Sequence, residues 1–435
     1  MTPAARLQAA LDILDAIEKD QRPADVAVGA YFRGRRYIGA KDRSAAAELA
    51  YGILRHQARL GWWCAHYRIP PTPRARLIVY LRLALGEKAQ AAAQYFSGAK
   101  FAPAPLDAEE SRFLERLAGH DLLHPNMPVA VKFEMPAWIM PQCAVQFGAR
   151  LERELAALLE SAPLDLRVNA VKAAREDVMQ ELQAAGLTPA PCRYAPFGIR
   201  LGARAGLPSL PAFKEGRIEV QEEASQLAAM LVDARPGMRV ADFCAGAGGK
   251  SLALGAAMAN KGRITALDVV EKRLQRGTER FRRAGLHNIE TRVLESENDP
   301  WIKRHKHGFD RVLADAPCSG SGAWRRNPDA RWKLSAEGLA SLLALQQRIL
   351  ISAARLVKPG GRLIYATCSL LDAENREQVA AFLAAQPEFS LLPYGEIWRD
   401  LNGAPLPSLG DMLQLTPAQH GTDGFFVAVM ARKEG

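Results

Sequence analysis

The chain has 435 residues, 49% hydrophobic and 24% charged, a composition that suits a folded soluble protein of two or three domains rather than a disordered one. Its best apolar stretch, LIVYLRLALG, is broken by Arg82, well short of the ~18 residues a membrane span needs, and six scattered cysteines without a CxxC pair argue against a disulfide framework or structural zinc. The formal net charge of +10 points to a polyanionic partner.

Residues 1–125 read as helical. Thr2-Pro3 supplies a start, and Leu7, Leu11, Leu14 and Ile17 recur at helix spacing. The early Arg6, Asp12 and Asp15 leave no apolar signal core, so the expected location is cytoplasmic. Further helices are expected at Ala45–Leu60, burying Leu49, Ile53 and Leu54, and at Arg74–Leu85 beyond three prolines. Residues 31–60 carry seven basic side chains, Arg33, Arg35, Arg36, Lys41, Arg43, Arg55 and Arg59, against Asp42 and Glu48. With Tyr31, Phe32 and Tyr37 interleaved, this stripe suits nucleic acid, although a solvated helix face is the plainer reading of any one charge run.

The proline-rich stretch 121–140 reads as a linker. A small α/β unit is expected over 141–235, with a helix at Cys143–Glu160, a strand in LDLRVNAV, a helix at Arg175–Ala185, and short strands near Gly198–Leu201 and Gly216–Val220. After Arg235-Pro236-Gly237 strands and helices alternate to the end of the chain, the pattern of a doubly wound, mostly parallel sheet over 236–435. Its strands are expected in MRVADFCA, GRITALDVV, IETRVLE, FDRVLADA, RLIYATC and FFVAVMARK, with a helix Glu271–Ala284 capped by Gly285 and a long helix Ala336–Leu356.

Between the first strand and helix of that pattern lies Asp242-Phe-Cys-Ala-Gly-Ala-Gly-Gly-Lys-Ser251, and Asp268 closes the next strand. Glycines before a helix N-terminus permit close backbone approach, and a carboxylate at the second strand end can bind ribose hydroxyls. A phosphate-binding loop would need glycine at Cys244, and a dinucleotide loop spaces its third glycine further on. An S-adenosylmethionine loop fits best; a tight turn without a ligand is the plain alternative.

Two more strand ends carry thiols. Asp315-Ala-Pro-Cys318-Ser-Gly-Ser-Gly322 follows FDRVLADA, and Ala366-Thr-Cys368-Ser-Leu370 follows RLIYATC. One strand-end cysteine is usually an inert buried thiol, the reading kept for Cys64, Cys143 and Cys192. Two on adjacent predicted strands, facing a cofactor loop, instead offer nucleophiles. Carbon 5 of cytosine is too electron-poor to accept a methyl group until a thiolate adds at carbon 6. Cys368 or Cys318, Asp315 and the glycine loop supply the parts for that chemistry.

Taken in order, CAGAGGKS, Asp268, DAPCSGSG with RRNPD (325–329), and ATCSL with Glu374-Asn375 resemble the motifs of the Nop/Sun family of RNA (cytosine-5) methyltransferases. LRVNAV (166–171) and FKEGRIEVQEEASQ (213–226) are also similar to family segments, and the N-terminal helices resemble the NusB-like RNA-binding domain of bacterial members. The resemblance implies an α/β class I methyltransferase domain, Rossmann-like and doubly wound, over 236–435. Ahead of it would lie a small RRM-like, RNA-contacting unit (141–235) and an all-α NusB-like domain (1–125).

It implies Cys368 as the nucleophile, Cys318 as the group assisting product release, and Asp315 as the residue holding the cytosine's nitrogen edge. Cys244, Ala245, Gly246, Ala247, Gly248, Gly249 and Lys250 would cradle the methionine end of S-adenosylmethionine, with Asp268 at its ribose and Glu295 near its adenine; Asp315 borders the same cofactor. Gly246-Ala247 stands where the family usually has Ala-Pro. Arg325, Arg326 and Arg331, with Lys333, are expected at RNA phosphates, as are Arg33, Arg35 and Arg36. RNA is the expected partner, ribosomal by analogy with the N-terminal module and transfer RNA as the alternative; no metal or membrane partner is expected, and the chain is expected to be a monomer. His305, His307 and His420 are assigned to loops and turns, His420 with equal weight near the site. A dinucleotide oxidoreductase would leave both thiols without a role, and a non-catalytic RNA-binding factor would be free to lose them.

Overall fold

A computed structural model describes residues 1–20, 23–202, 206–402 and 410–434. The chain divides into two compact units, residues 1–160 with 324–336, and residues 161–323 with 337–435. Among the described residues no helix is long and apolar enough to cross a membrane.

The first unit is helical. Leu7, Leu11, Leu14 and Ile17 line the buried side of the helix Pro3–Asp20, as their spacing predicts. The expected helix over 45–60 begins earlier, at Ala40, and breaks at His56, so that Gln57–His66 forms a separate helix with Trp63 fully buried. Ile53 and Leu54 are buried, whereas Leu49 is only half-buried. The next helix starts at Pro73 because the Thr72 hydroxyl accepts the Ala75 N–H at 3.1 Å and proline needs no donor there. Arg33 and Arg36 are exposed, and Arg35 lies over the Tyr31 ring, 3.9 Å from its centroid.

The stretch 121–140 is not a free linker. It holds a short helix, Val129–Lys132, and the buried Glu134, whose carboxyl accepts the N–H groups of Ala58 at 2.6 Å and Arg59 at 3.0 Å. Burial pushes the Glu134 carboxyl up to about 7. The expected helix 143–160 is two helices, Met140–Phe147 and Leu151–Ala157, separated where Gly148 takes a positive φ, and both fall within residues 1–160 of the first unit.

Residues 324–336 also pack here, and this corrects the assignment of Arg325 and Arg331 to RNA phosphates. Arg331 is 1% exposed, and its guanidinium donates to the carbonyls of Glu134 (2.9 Å), Trp324 (3.3 Å) and Leu158 (3.4 Å). Burial draws its pKa down to about 10. Arg325 is buried too, and its carbonyl accepts from Arg55 at 3.0 Å. Asp329 accepts the Ala24 N–H and pairs with Lys333, while Arg326 is half-buried. A buried guanidinium with three carbonyl acceptors is a packing element, not a hand held out to RNA.

The second unit contains two sheets. The smaller comprises β1 (Leu164–Val168), β2 (Pro189–Pro191), β3 (Gly198–Leu201) and β4 (Ile218–Val220), antiparallel in the order β2-β3-β1-β4. Leu166, Val168, Ile199, Leu201 and Ile218 form its apolar face beneath Val178 and Leu182 of the helix Arg175–Ala184. The other face is charged yet buried. Arg200 binds Asp165 at 2.7 and 2.9 Å and Glu223 at 3.2 Å, and Glu219 pairs with Arg280 and Arg283. Asp165, Cys192 and Glu223 lie close enough together to suit a cation, but the Arg200 guanidinium already occupies that place, pairing with both carboxyls. Asp165, Arg167 and Glu219 are at most 6% exposed, so the face an RNA-contacting sheet would present is covered by the unit's own helices.

The larger sheet is built from β5 (Arg239–Asp242), β6 (Arg263–Asp268), β7 (Ile289–Val293), β8 (Phe309–Asp315), β9 (Val357–Thr367), β10 (Phe389–Leu392), β11 (Leu413–Leu415) and β12 (Phe425–Arg432). Their order is β10-β12-β9-β8-β5-β6-β7, with β11 on the edge of β12. β7, β6, β5, β8 and β9 are mutually parallel, and β12 runs antiparallel between β9 and β10. This is the doubly wound, Rossmann-like arrangement expected of a class I methyltransferase. The chain winds outward from β5 in one direction through β6 and β7, then returns to β8 and β9 on the other side. The crevice beyond the ends of β5 and β8 is the switch point where such sheets bind ligands.

Replacing Arg331 with Ala should lower stability in urea unfolding by about 3 kcal/mol, the usual effect of removing one partner from a buried charged cluster. Arg36→Ala, at an exposed position, should stay within about 0.5 kcal/mol. Equal losses would contradict the packing role of Arg331.

Candidate active site

Beyond β5 the backbone turns sharply. Ala245 N–H donates to Leu267 O and Gly248 N–H to Ala245 O, both at 2.8 Å, and the helix Gly249–Ala257 begins at once. Gly248 has a φ of +75°, and a Cβ there would lie 2.4 Å from the Phe281 ring, so glycine is required both by conformation and by space. Asp268, 7% exposed at the end of β6, accepts Gly246 N–H and Val270 N–H through its two oxygens at 2.8 Å each.

This loop is one wall of a cavity of about 760 Å³, bounded also by Asp268, Arg273, Glu295, Asp315 and Cys318. Cys244, Ala245, Gly246 and Ala247 line it; Gly248, Gly249 and Lys250 do not. The two glycines shape the turn. Lys250 points elsewhere, its Nζ 2.6 Å from Asp315 Oδ2 and 5.0 Å from the centroid of the Phe425 ring. Burial opposes the charge on Lys250, but Asp315 and Asp242 outweigh it, and its pKa is raised. Lys250 therefore fixes Asp315, which lines the cavity.

Asp242 is 1% exposed. Its Oδ2 accepts from Ser251 Oγ at 2.6 Å, while Oδ1 is buried with no hydrogen-bond partner. Burial pushes its carboxyl up to about 6. An orphaned acceptor beside a glycine turn, next to a cavity of this size, suits a ligand that brings a donor or a positive charge. S-adenosylmethionine, with its ammonium and sulfonium groups, meets that requirement.

The thiols lie on neighbouring strands. Parallel pairing of β8 with β9 runs to Asp315 opposite Ala366, and Ala316 N–H still reaches Ala366 O at 2.9 Å. Pro317 has no N–H with which to continue the ladder. Cys318 and Cys368 follow, with their sulfurs 3.5 Å apart and both half-buried. The hydrogen bond to Cys368 and burial together raise the Cys318 thiol well above its ordinary value. Burial does the same to Cys244, and Cys64, Cys143 and Cys192 are buried thiols with raised values, as inert core cysteines should be.

The loop after Cys318 is pinned by backbone. Gly322 N–H donates to Cys368 O at 3.0 Å, and Gly424 N–H to Gly322 O at 2.9 Å. A Cβ on Gly322 would sit 2.1 Å from Gly424 O, and one on Gly424 would sit 2.6 Å from Gly322 Cα. The start of β12 therefore closes directly onto the thiol loop. Around it lies a buried polar network of Ser319, Ser321, Gln346, Ser369, Glu374 and Asn375. Ser319, Ser321 and Ser369 lie in the two thiol motifs and Glu374-Asn375 in the pair quoted beside them, all without an assigned task, while nothing in the sequence marked Gln346.

The histidines serve structure. His420 is buried and its Nδ1 accepts the Thr416 N–H at 2.9 Å, closing a turn. His305 stacks on Trp301 at 3.9 Å, and His307 occupies a left-handed turn.

The family model described as 16S rRNA methyltransferase RsmB/F matches residues 229–431, and a second, described as the Methyltr_RsmF/B-like, ferredoxin-like domain, matches 135–206. The probable ribosomal RNA small subunit methyltransferase B of Synechocystis sp. is 32% identical over 97% of this chain and 98% of its own length. The ribosomal RNA small subunit methyltransferase B of Serratia proteamaculans is 31% identical over 83% of this chain and 86% of its own. The crystal structure of PH0851 superposes with a TM-score of 0.79 and 27% identity, covering 99% of both chains. A match of this length, identity and fold means that the chain belongs to the RsmB/F family of 16S rRNA methyltransferases, enzymes of the S-adenosylmethionine-dependent class.

Proposed function

We propose that this enzyme methylates carbon 5 of a cytosine in small-subunit ribosomal RNA through a transient cysteine–cytosine bond. The observation that carries this reading is the pair of sulfurs 3.5 Å apart, one of them, Cys318, lining a cofactor-sized cavity that Asp315 also lines. A cofactor cavity alone fits many methyl transfers, but a second thiol beside the first has no use in direct transfer to nitrogen or oxygen.

When bound, S-adenosylmethionine supplies an electrophilic methyl group. Cys244 to Ala247 and Asp268, at the ends of β5 and β6, would hold it, and Glu295 and Arg273 line the same cavity. Asp315, steadied by Lys250, accepts from the cytosine's nitrogen edge and fixes the ring. Cys368 adds to carbon 6, forming a C–S bond and driving the ring's electrons toward carbon 5, which becomes nucleophilic. After methylation the thiolate of Cys318 takes the proton from carbon 5, that C–H electron pair re-forms the C5–C6 double bond, and the C–S bond breaks with its electrons returning to Cys368 as thiolate. Cys318, adjacent to that sulfur, assists this elimination. Arg33, Arg35 and Arg36 of the helical unit contact the RNA backbone through charge, so their loss weakens binding and reduces its salt dependence.

Bisulfite sequencing of total RNA from a strain lacking the gene should show one or more small-subunit ribosomal cytosines losing their protection; an unchanged map would refute the reading, and loss confined to transfer RNA would move the substrate. With purified protein, RNA and cofactor, Cys318→Ala should accumulate a denaturation-resistant protein–RNA adduct, and Cys368→Ala should form none. The reverse pattern would exchange their roles.

Asp242 supplies a pH test. Its folded-state pKa of about 6 lies above its ordinary value, so the stability it contributes is full below pH 3.8 and is lost as pH rises through about 6. A cationic group at Oδ1 offsets that loss only where the carboxyl is ionised. The rise in melting temperature produced by saturating S-adenosylmethionine should be larger at pH 7.5 than at pH 5, and Asp242→Asn should erase the difference. Equal rises in the unsubstituted enzyme at the two pH values would remove Asp242 from the cofactor site.

A further inference from the structure

Past Asp315 and Ala366 no ladder joins the two chains that carry the thiols, yet the sulfurs remain within hydrogen-bond distance. Beside the backbone bond from Gly322 N–H to Cys368 O and the contact of Ser321 with Ser369, four further hydrogen bonds converge on one carboxyl. Glu374, fully buried, accepts Ser319 N–H at 2.8 Å and Gln346 Nε2 at 3.0 Å through Oε1, and the hydroxyls of Ser319 and Ser369 through Oε2. Ser319 and Ser369 are the residues immediately after Cys318 and Cys368. Gln346, from the helix Ala336–Ala354, also donates to Pro317 O at 2.9 Å, so the residues on both sides of Cys318 are held from the same point. Glu374 is itself fixed. Tyr365 Oη donates to its carbonyl at 2.7 Å, and Asn375 bridges Thr367 Oγ1 at 2.6 Å to Ser369 O at 3.0 Å.

We infer that Glu374 is a positioning residue that sets the separation of the two thiols by clamping the residue after each of them, a role that rests on the thiol chemistry proposed above. Four donors from three residues meet on one side chain, and a carboxyl with two oxygens is the smallest group that can accept them all. Hydrogen bonds to a buried carboxyl are stronger than neutral ones and fix geometry as well as energy. A buried carboxyl needed only for folding could sit anywhere in the core. This one bonds only to the loop carrying Cys318, to Ser369 beside Cys368, and to Gln346, which holds the first loop.

The test uses phenylarsine oxide, which joins two thiols at close range by exchanging its As–O bond for two As–S bonds and releasing water, without redox change. The unsubstituted enzyme should capture one arsenical across Cys318 and Cys368, seen by intact mass and lost in Cys318→Ala. Glu374→Leu should slow that capture at least tenfold. Glu374→Gln can turn its NH₂ toward the two serine hydroxyls, whose oxygens accept, and should stay within about twofold. On RNA containing 5-fluorocytosine, which traps the adduct, Glu374→Leu should lower the adduct rate constant at least tenfold while leaving its amplitude unchanged; a folding defect would lower the amplitude instead.

Should Glu374→Leu not bind cofactor, Ser319→Ala and Ser369→Ala, each removing one hydroxyl donor, should show severalfold losses in the same two rates. Unchanged capture and unchanged adduct rate in these variants would overturn the inference. An unsubstituted enzyme that captures the arsenical but forms no adduct on any ribosomal RNA would instead overturn the cytosine chemistry and leave the clamp to be judged by the arsenical alone.

Discussion

Parallel neighbours in a sheet release their chains at the same end, about one strand spacing apart. β8 and β9 are such neighbours, and they end in register at Asp315 and Ala366. From that single constraint it follows that whatever comes next on either chain faces the same crevice, beside the loop that leaves β5. An antiparallel pairing would have put the two cysteines at opposite ends of the sheet. The antiparallel β12 respects the same rule from the other direction. Its first residues, not its last, arrive at the crevice, and that is why Gly424 lies against the thiol loop.

The sheet delivers the groups but cannot hold them, because backbone beyond the last ladder bond has lost its regular partners. Proline at 317 makes this break definite. The protein answers with side chains that act as surrogate ladder rungs: serine hydroxyls, an amide and a carboxyl, all withdrawn from water. Buried polar groups of this kind are costly unless every donor finds an acceptor, and the network around Ser369 meets that condition closely. Lys250 and Asp315 apply the same logic one residue earlier, as a buried ion pair that leaves the carboxyl aimed at the cavity. Two acceptors stay buried without a hydrogen-bond partner, Oε1 of Gln346 within the network and Oδ1 of Asp242 beside the glycine turn.

Much of this was legible in the sequence because it was local. Strand–turn–helix alternation, the glycines at 246, 248 and 249, and thiols directly after apolar runs are all patterns read within ten residues. The structure returned them at the expected positions, including the left-handed Gly285 cap. Non-local facts were invisible. Arg331 reads as a surface cation because it follows Arg325 and Arg326 and precedes Lys333 in a basic stretch; it is held by the carbonyls of Glu134 and Leu158, more than 170 positions earlier. Lys250 reads as part of a glycine loop, and its partner stands 65 residues on. The charged face of β1 and β4 looks solvent-facing by alternation alone, yet Arg200 and Arg280 neutralise it inside the fold. The short strands β10 and β11 gave too few residues for any period to show.

The segment 324–336 has a consequence for how this protein can change. It leaves the catalytic unit immediately after Ala323 and returns at Glu337, yet Trp324 and Arg331 are buried in the helical unit. The polypeptide therefore passes between the units three times rather than once. A cut after residue 160 would strand an indole and a guanidinium without the carbonyls and side chains that enclose them. The helical module is not a cassette that recombination can exchange at a single junction. Exchanging the helical unit as a whole therefore means replacing residues 324–336, in the interior of the catalytic sequence, along with residues 1–160.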